Sequence, residues 1–219
     1  TVSFTNGISG QAILMQQGSQ LVYSAGGHFV QQEGGLDLWV QPQWTDGAGS
    51  QVFFSAGDGQ SYLFEVGATQ GWLYVWLTKF DGYNEAALWS SISDWQPGQW
   101  RHVGVSWQPR WLKLYVDGVM ADATTLRRPI TGTLGVLSIG ASVDGASAGR
   151  MALDEVRISG IARVGNSDRV RLLVSEESRG RIKALDLMGN LQGEWSDSRV
   201  ARPRSLALWP GGLLAVSDT

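Results

Sequence analysis

Apolar and polar residues alternate with a period of two through most of this chain, the pattern of half-buried β-strands. The clearest stretch runs from Gln99 to Ala121. There Val103, Val105 and Trp107 alternate with His102, Gly104 and Ser106, and Leu112, Leu114 and Val116 alternate with Lys113 and Tyr115. Gln108-Pro109-Arg110 separates the two runs where a turn is required. Asp117-Gly118 ends the second run, since glycine tolerates the positive φ of a tight turn. The pattern predicts two paired antiparallel strands that face one core. Upstream, Leu36, Leu38 and Val40 share one face of a strand and Asp37, Trp39 and Gln41 the other, until Pro42 stops the ladder. In Gly71-Trp-Leu-Tyr-Val-Trp-Leu77, three aliphatics (Leu73, Val75, Leu77) occupy one face and three aromatics (Trp72, Tyr74, Trp76) the other.

Composition sharpens this reading toward an all-β fold. The 29 glycines and the low share of charged residues, 17%, suit many short strands joined by tight turns, and no long segment carries a helical period. A chain of 219 residues can bury a sizeable core, and with no cysteine it does so without disulfides. No apolar run approaches membrane-spanning length and no signal peptide is visible at Thr1. The chain starts inside a strand-like pattern without Met, so a processed or excised fragment is expected.

The Trp-x-His-Val start at Trp100, the apolar strand ending in Trp107 and the Leu-x-Leu-Tyr-Val-Asp-Gly run ending at Gly118 resemble the core of a laminin-G-like domain of the concanavalin A-like superfamily. Gly35-Leu-Asp-Leu-Trp-Val-Gln-Pro42 is similar to an early strand of that family. Asp154-Glu-Val-Arg-Ile158 is similar to its closing signature, and the opening strands fit as well. The resemblance implies an antiparallel jelly-roll β-sandwich over residues 1–162. It also implies a secreted or cell-surface, bacterial location and a partner that is a glycan or a protein, or else a place as a structural unit of a large assembly.

After Ile158 the character changes. Residues 1–149 hold 6 Lys+Arg against 11 Asp+Glu, and residues 150–219 hold 11 against 9. That balance is too weak to argue for nucleic acid, so none is expected as a partner. Val174-Ser175-Glu176 and Val216-Ser217-Asp218 repeat at a spacing of about forty residues, a propeller-blade period. With Arg181-Ile-Lys-Ala-Leu-Asp186, a Gly189 turn and Pro203-Arg-Ser-Leu-Ala207, this succession resembles one NHL-type β-propeller repeat and the start of a second over residues 163–219. One blade cannot bury both its faces, so the expectation is a partial propeller completed by further sequence or by another chain.

Candidate chemistry is sparse. Without cysteine, and with His28 and His102 remote from any Gly-x-Ser-x-Gly elbow, nucleophilic catalysis has no support. Two separated histidines give no zinc spacing. His102 reads as structural, beside Trp100. Glycosidases on the resembled fold use carboxylates at alternate positions of one strand, because acid and nucleophile must enter one cleft. Their Glu-x-Asp-x-x-Glu pattern is absent here. Glu65 stands alone in Tyr62-Leu-Phe-Glu-Val66, and Asp154 and Glu155 are adjacent and so expected on opposite faces, with Asp154 structural. No enzyme activity and no cofactor are therefore expected. Calcium is the ion the resemblance implies in some relatives. Asp58, Asp81, Glu85 and Asp144 are the loop acids for it, although each also serves as turn chemistry and no ligand set follows. Trp72, Tyr74 and Trp76 are the candidate ligand-binding residues, since flat aromatic faces stack on sugars or on proteins. Alternation alone leaves open whether they face outward as a platform or inward toward the core.

Overall fold

The computed structural model describes residues 3–45, 49–59, 62–78, 84–131, 134–160, 162, 172–185, 191–196, 202, 205–209 and 213–217. The chain divides into two compact units, Thr1–Asn166 and Ser167–Thr219. The strands of the first unit are β1 (Ser3–Asn6), β2 (Gln11–Met15), β3 (Leu21–Ser24), β4 (Gly34–Pro42), β5 (Gln51–Gly57), β6 (Tyr62–Thr69), β7 (Trp72–Thr78), β8 (Asn84–Ser91), β9 (Arg101–Gln108), β10 (Trp111–Val116), β11 (Val119–Thr125), β12 (Val136–Ile139) and β13 (Met151–Ser159). They form a seven-stranded sheet in the order β1-β2-β13-β4-β9-β10-β11 and a six-stranded sheet in the order β3-β12-β5-β6-β7-β8. All pairings are antiparallel, so the unit is an all-β sandwich.

Why these segments form strands follows from the alternation. Leu36, Leu38 and Val40 of β4, Val103, Val105 and Trp107 of β9, and Leu112 and Leu114 of β10 all lie in one core. From the other sheet, Phe54 and Ala56 of β5, Phe64 and Val66 of β6, Leu73, Val75 and Leu77 of β7 and Leu88 of β8 meet them. The hairpin read at Gln99–Ala121 is present in register, with Val103 opposite Val116, Val105 opposite Leu114 and Trp107 opposite Leu112. Asp117 and Gly118 both take left-handed backbone, at φ 46° and 78°, and turn β10 into β11. At the centre of the core Phe29 stacks on Trp107 with 4.8 Å between ring centroids, and the Trp107 indole donates to Val30 O at 2.9 Å.

One expectation fails at β13. The register shifts between Asp154 and Arg157, and Glu155 adopts φ 50°, so this is a β-bulge in which strict alternation does not apply. Asp154 is buried and accepts the N–H groups of Ser9 at 3.0 Å and of Glu155 at 2.8 Å, which ties the first hairpin to the closing strand. Its carboxylate is spent on that task. His102 takes the packing and polar role expected of it. His102 lies opposite Trp39 across the β4–β9 pairing, 5.2 Å from its ring, with Nε2 3.4 Å from Asp37 Oδ1.

In the second unit β14 (Leu172–Glu176), β15 (Arg181–Leu185) and β16 (Leu191–Ser196) form an antiparallel meander, and β17 (Ser205–Trp209) pairs with β18 (Leu213–Ser217). A single 3₁₀ turn, Glu177–Arg179, links β14 to β15. Ile182 is buried, whereas Arg181 and Lys183 flank it and pair with Glu194 at 2.6 Å and Glu176 at 3.0 Å. No helix among the described residues is long and apolar enough to cross a membrane.

Candidate functional site

In the six-stranded sheet β7 keeps Leu73, Val75 and Leu77 in the core, which sends Trp72, Tyr74 and Trp76 to the outer face. These three behave differently there. Trp72 is 48% exposed, Trp76 is half-buried and Tyr74 is fully buried. Tyr74 stacks on Trp76 at 4.0 Å and 24°, two positions apart on one strand. Its ring lies over Gly67 of β6, where a side-chain carbon would sit 2.7 Å from the phenol oxygen, so only glycine leaves this path open. The phenol reaches across and donates to Glu65 Oε1 at 3.0 Å.

Trp89 of β8 completes the cluster. It stands opposite Tyr74 in register, 6.0 Å from its ring and 5.8 Å from that of Trp76, and is 39% exposed. Its backbone N–H donates to Asp122 of β11 at 2.9 Å, a link between edge strands of the two sheets. Trp89 was visible in the sequence, because Leu88 takes the core phase of Asn84–Ser91 and its neighbour must point outward. The Tyr74–Glu65 contact had no such signal.

Glu65 sits between Ser55 of β5 and Trp76 of β7 in the cross-strand register. Burial pushes its carboxyl up to about 7, against the opposing pull of the Tyr74 hydrogen bond and the nearby Ser55 hydroxyl. Ser55 Oγ stops short of hydrogen-bond geometry, so both it and Glu65 Oε2 are buried without a partner. Below about pH 7 the buried carboxyl keeps its proton and carries a donor as well as the acceptor that the Tyr74 phenol uses. Ser138 of β12 extends the polar row from Ser55, donating to Ala141 O at 2.6 Å and accepting from the Gln20 amide at 3.0 Å.

The described calcium candidates lie on separate elements. Asp58 lies in the turn after β5, Glu85 on β8 and Asp144 between β12 and β13, while Asp81 lies outside the described residues. Asp144 accepts from Ser142 Oγ at 2.5 Å and from Ala146 N at 2.9 Å, which holds its carboxyl below the usual range. Among the described residues no three carboxylates or imidazoles gather into a cation site. His28 is exposed in a turn and its N–H is bonded to Ala25 O at 3.1 Å, remote in sequence from any candidate nucleophile.

Residues 16–167 match the laminin-G family described as the concanavalin A-like lectin/glucanases superfamily. No curated protein matches the sequence. Among solved structures, the binding domain of Paraclostridial Mosquitocidal Protein 1 superposes with a TM-score of 0.58 at 16% identity, over 74% of this chain and 43% of that one. The binding domain of botulinum neurotoxin DC in complex with SialylT gives 0.59 at 9% identity, over 75% of this chain and 42% of that one. Domain 4 of AbnA, a GH43 extracellular arabinanase from Geobacillus stearothermophilus, in complex with arabinotriose, gives 0.55 at 22% identity, over 74% and 76%. The chain spans less than half of those two toxin structures. At these identities the likeness is one of fold.

Proposed function

Because the chain belongs to the concanavalin A-like lectin/glucanases superfamily, we propose that its sandwich is a non-catalytic recognition module that binds a glycan on the outer face of the six-stranded sheet. One observation carries the reading: Trp72 and Trp89 stand half-exposed at either side of the stacked Tyr74–Trp76 pair, with the Glu65 carboxyl beneath. Large aromatic rings on an outer sheet face offer apolar planes to the C–H faces of a sugar, and a buried hydrogen-bonding carboxyl fixes the rings below them. Tyr74 serves as the fixed base, and Trp72, Trp76 and Trp89 carry the contact. The arabinotriose held by the similar arabinanase domain favours a sugar over a protein ligand. That domain's parent is extracellular, which supports a secreted or cell-surface location for this chain as well.

The non-catalytic part rests on what surrounds Glu65. Glycoside hydrolysis needs a second carboxylate working with the first; the positions beside Glu65 on its face are Ser55, Trp76 and Gly67, and Asp144, whose charge reaches Glu65, is held in its own turn by Ser142 Oγ and Ala146 N. We read residues 163–219 as the start of an NHL-type propeller that extends the protein toward an assembly. The meander of β14 to β16 followed by the β17–β18 pair, at the forty-residue period of the sequence, supports it. Light scattering tests that extension: an oligomer that dissociates when the second unit is removed fits, and a monomer does not.

A glycan array followed by titration tests the recognition reading. Trp76→Ala is expected to weaken binding of the captured glycan by roughly 2- to 12-fold, the range for loss of one aromatic contact. Equal binding by a variant lacking both Trp72 and Trp76 would sink the outer face as the site.

A further inference from the structure

The sandwich has four strand edges, β1 and β11 of one sheet and β3 and β8 of the other. They meet in pairs along two seams, and the seams are finished differently. At one, β11 packs on β8, and the Asp122 carboxylate accepts the Trp89 N–H of β8 at 2.9 Å and the Ala123 N–H of β11 at 2.8 Å. A charged side chain therefore occupies edge donors of both strands, one of the ways sheet edges are kept from pairing further. At the other seam Met15 of β2 lies against Gly140, just beyond β12. That contact brings the outer neighbours of those two strands, β1 and β3, to one side of the sandwich.

This second seam lacks the guards of the first. Residues 1–32 contain no Asp, Glu, Lys, Arg or Pro, and residues 129–143, which carry β12, contain no charged residue either. Neither the β1–β2 nor the β3–β12 pairing holds a bulge. The core also runs out into solvent here. Phe4 continues the inward row of Leu153 and Ile13, and Tyr23 continues that of Ala56 and Leu137. Yet Phe4 is 61% and Tyr23 52% exposed, with Ile8 and Val22 exposed beside them.

We propose that this open seam is a homodimer interface, in which a twofold axis perpendicular to the strands sets β1 against β1 and β3 against β3 of a second copy. Three features select that occupant. A strand that faces its own copy across such an axis is antiparallel, as every pairing in the sandwich already is. β1 and β3 are four residues each, too short for a lone extended peptide to gain much from either, whereas a second seam engages both edges at once. The chain carries a net charge of −3, and the uncharged seam is where two copies meet without like charges opposed. Joined in this way, Phe4 and Tyr23 of each copy close the inward rows of the other, and burial of apolar surface drives the association. The aromatic strand β7 lies four strands in from β3, so the interface is independent of the glycan reading.

Sedimentation velocity of the full chain is expected to show a dimer at micromolar concentration. Combining Phe4→Glu with Tyr23→Glu, and separately Phe4→Lys with Tyr23→Lys, is expected to raise the dimer Kd at least tenfold in each case, since like charges then face each other across the axis. Mixing the acidic and the basic double variant is expected to restore the dimer, which a loss of folding would not allow. Hydrogen exchange needs no substitution: the β1 and β3 amides of the parent are expected to lose protection on dilution, while those of β9 keep theirs. The proposal is overturned if the parent is monomeric across the micromolar range, if edge protection is independent of concentration, or if the two folded variants stay monomeric when mixed. A dimer that both double variants leave intact overturns it as well and assigns association to the second unit of the chain.

Discussion

The two sheets of the sandwich bury the same kind of side chain and present opposite chemistry to the outside. On the seven-stranded sheet, outward positions carry ion pairs and mixed polar contacts. Arg101 bridges Asp117 at 2.8 Å and Asp94 at 3.0 Å, His102 faces Asp37, and the Lys113 ammonium lies 4.5 Å from the centre of the Trp111 ring. On the six-stranded sheet the outward positions of β6 to β8 carry Trp72, Tyr74, Trp76 and Trp89 around one carboxyl that holds its proton to about pH 7. Inward alternation is a folding requirement, and both sheets meet it. Outward residues are free of that requirement, and the two faces differ in arrangement: the aromatics of β7 and β8 gather into one cluster beside Glu65, whereas Trp39 and Trp111 on the other sheet stand beside His102 and Lys113.

The largest effects fall on what the sheets share. Leu114 of β10 and Leu73 of β7 are both fully buried, so truncating either to Ala is expected to cost about 2–5 kcal/mol through lost transfer energy and a cavity. Denaturant unfolding measures both. A much smaller loss at Leu73 would mean that the six-stranded sheet is not packed as tightly as its partner, and the comparison would have to be redrawn.

The shared part is also the part legible in the sequence. Period-two patterning marks Leu36, Leu38 and Val40 and the Val103–Val116 hairpin because a strand has no other way to bury one face. The same pattern splits β7 into aliphatic and aromatic sides. It cannot say which side faces the core, since that depends on which sheet stacks against it. Nor does it see pairings across distant strands. Asp37 and Trp39 meet His102 because β4 and β9 are neighbours in the sheet, and Glu65 meets Tyr74 only because Gly67 clears a path between them. The bulge at Glu155 escaped for a related reason: φ 50° at a non-glycine residue breaks the alternation on which the reading of Asp154 and Glu155 rested.

A sharper test of the six-stranded face uses its proton. Folding raises the Glu65 pKa from 4.5 to about 7 through burial, so between those values the folded state binds more protons than the unfolded chain. Stability conferred by the protonated carboxyl is complete below about pH 4.5 and is lost as pH rises through 7. The slope is negative across that window, and the loss is on the order of 3 kcal/mol. Glu65→Gln keeps an acceptor for the Tyr74 phenol and cannot ionise. It is expected to be more stable than the parent at pH 8 by up to that amount and to flatten the slope between pH 5 and 8. Parallel stability profiles for parent and variant would show that Glu65 is solvated and that the outer face is open to water.

The smallest effect is expected from the most visible ionic feature of the other sheet. Arg101 contacts two carboxylates, but Asp94 is 70% exposed and Asp117 40%, so water and salt compete for both. Exposed pairs of this kind contribute roughly 0.2–1 kcal/mol, and the screening length shrinks from about 10 Å at 0.1 M salt to about 3 Å at 1 M. Asp117 is also engaged without the arginine, since its other oxygen accepts the His102 N–H at 2.9 Å and its left-handed backbone makes the turn. Arg101→Gln is therefore expected to cost less than about 1 kcal/mol, with most of that gone in 1 M salt, whereas the pH slope of Glu65 is expected to persist there because burial, not a surface charge, sets it. If instead Arg101→Gln costs as much as Leu114→Ala, the charged face is holding the fold together. The contrast between a charged, solvated face and an aromatic one then fails from the side on which it seemed simplest.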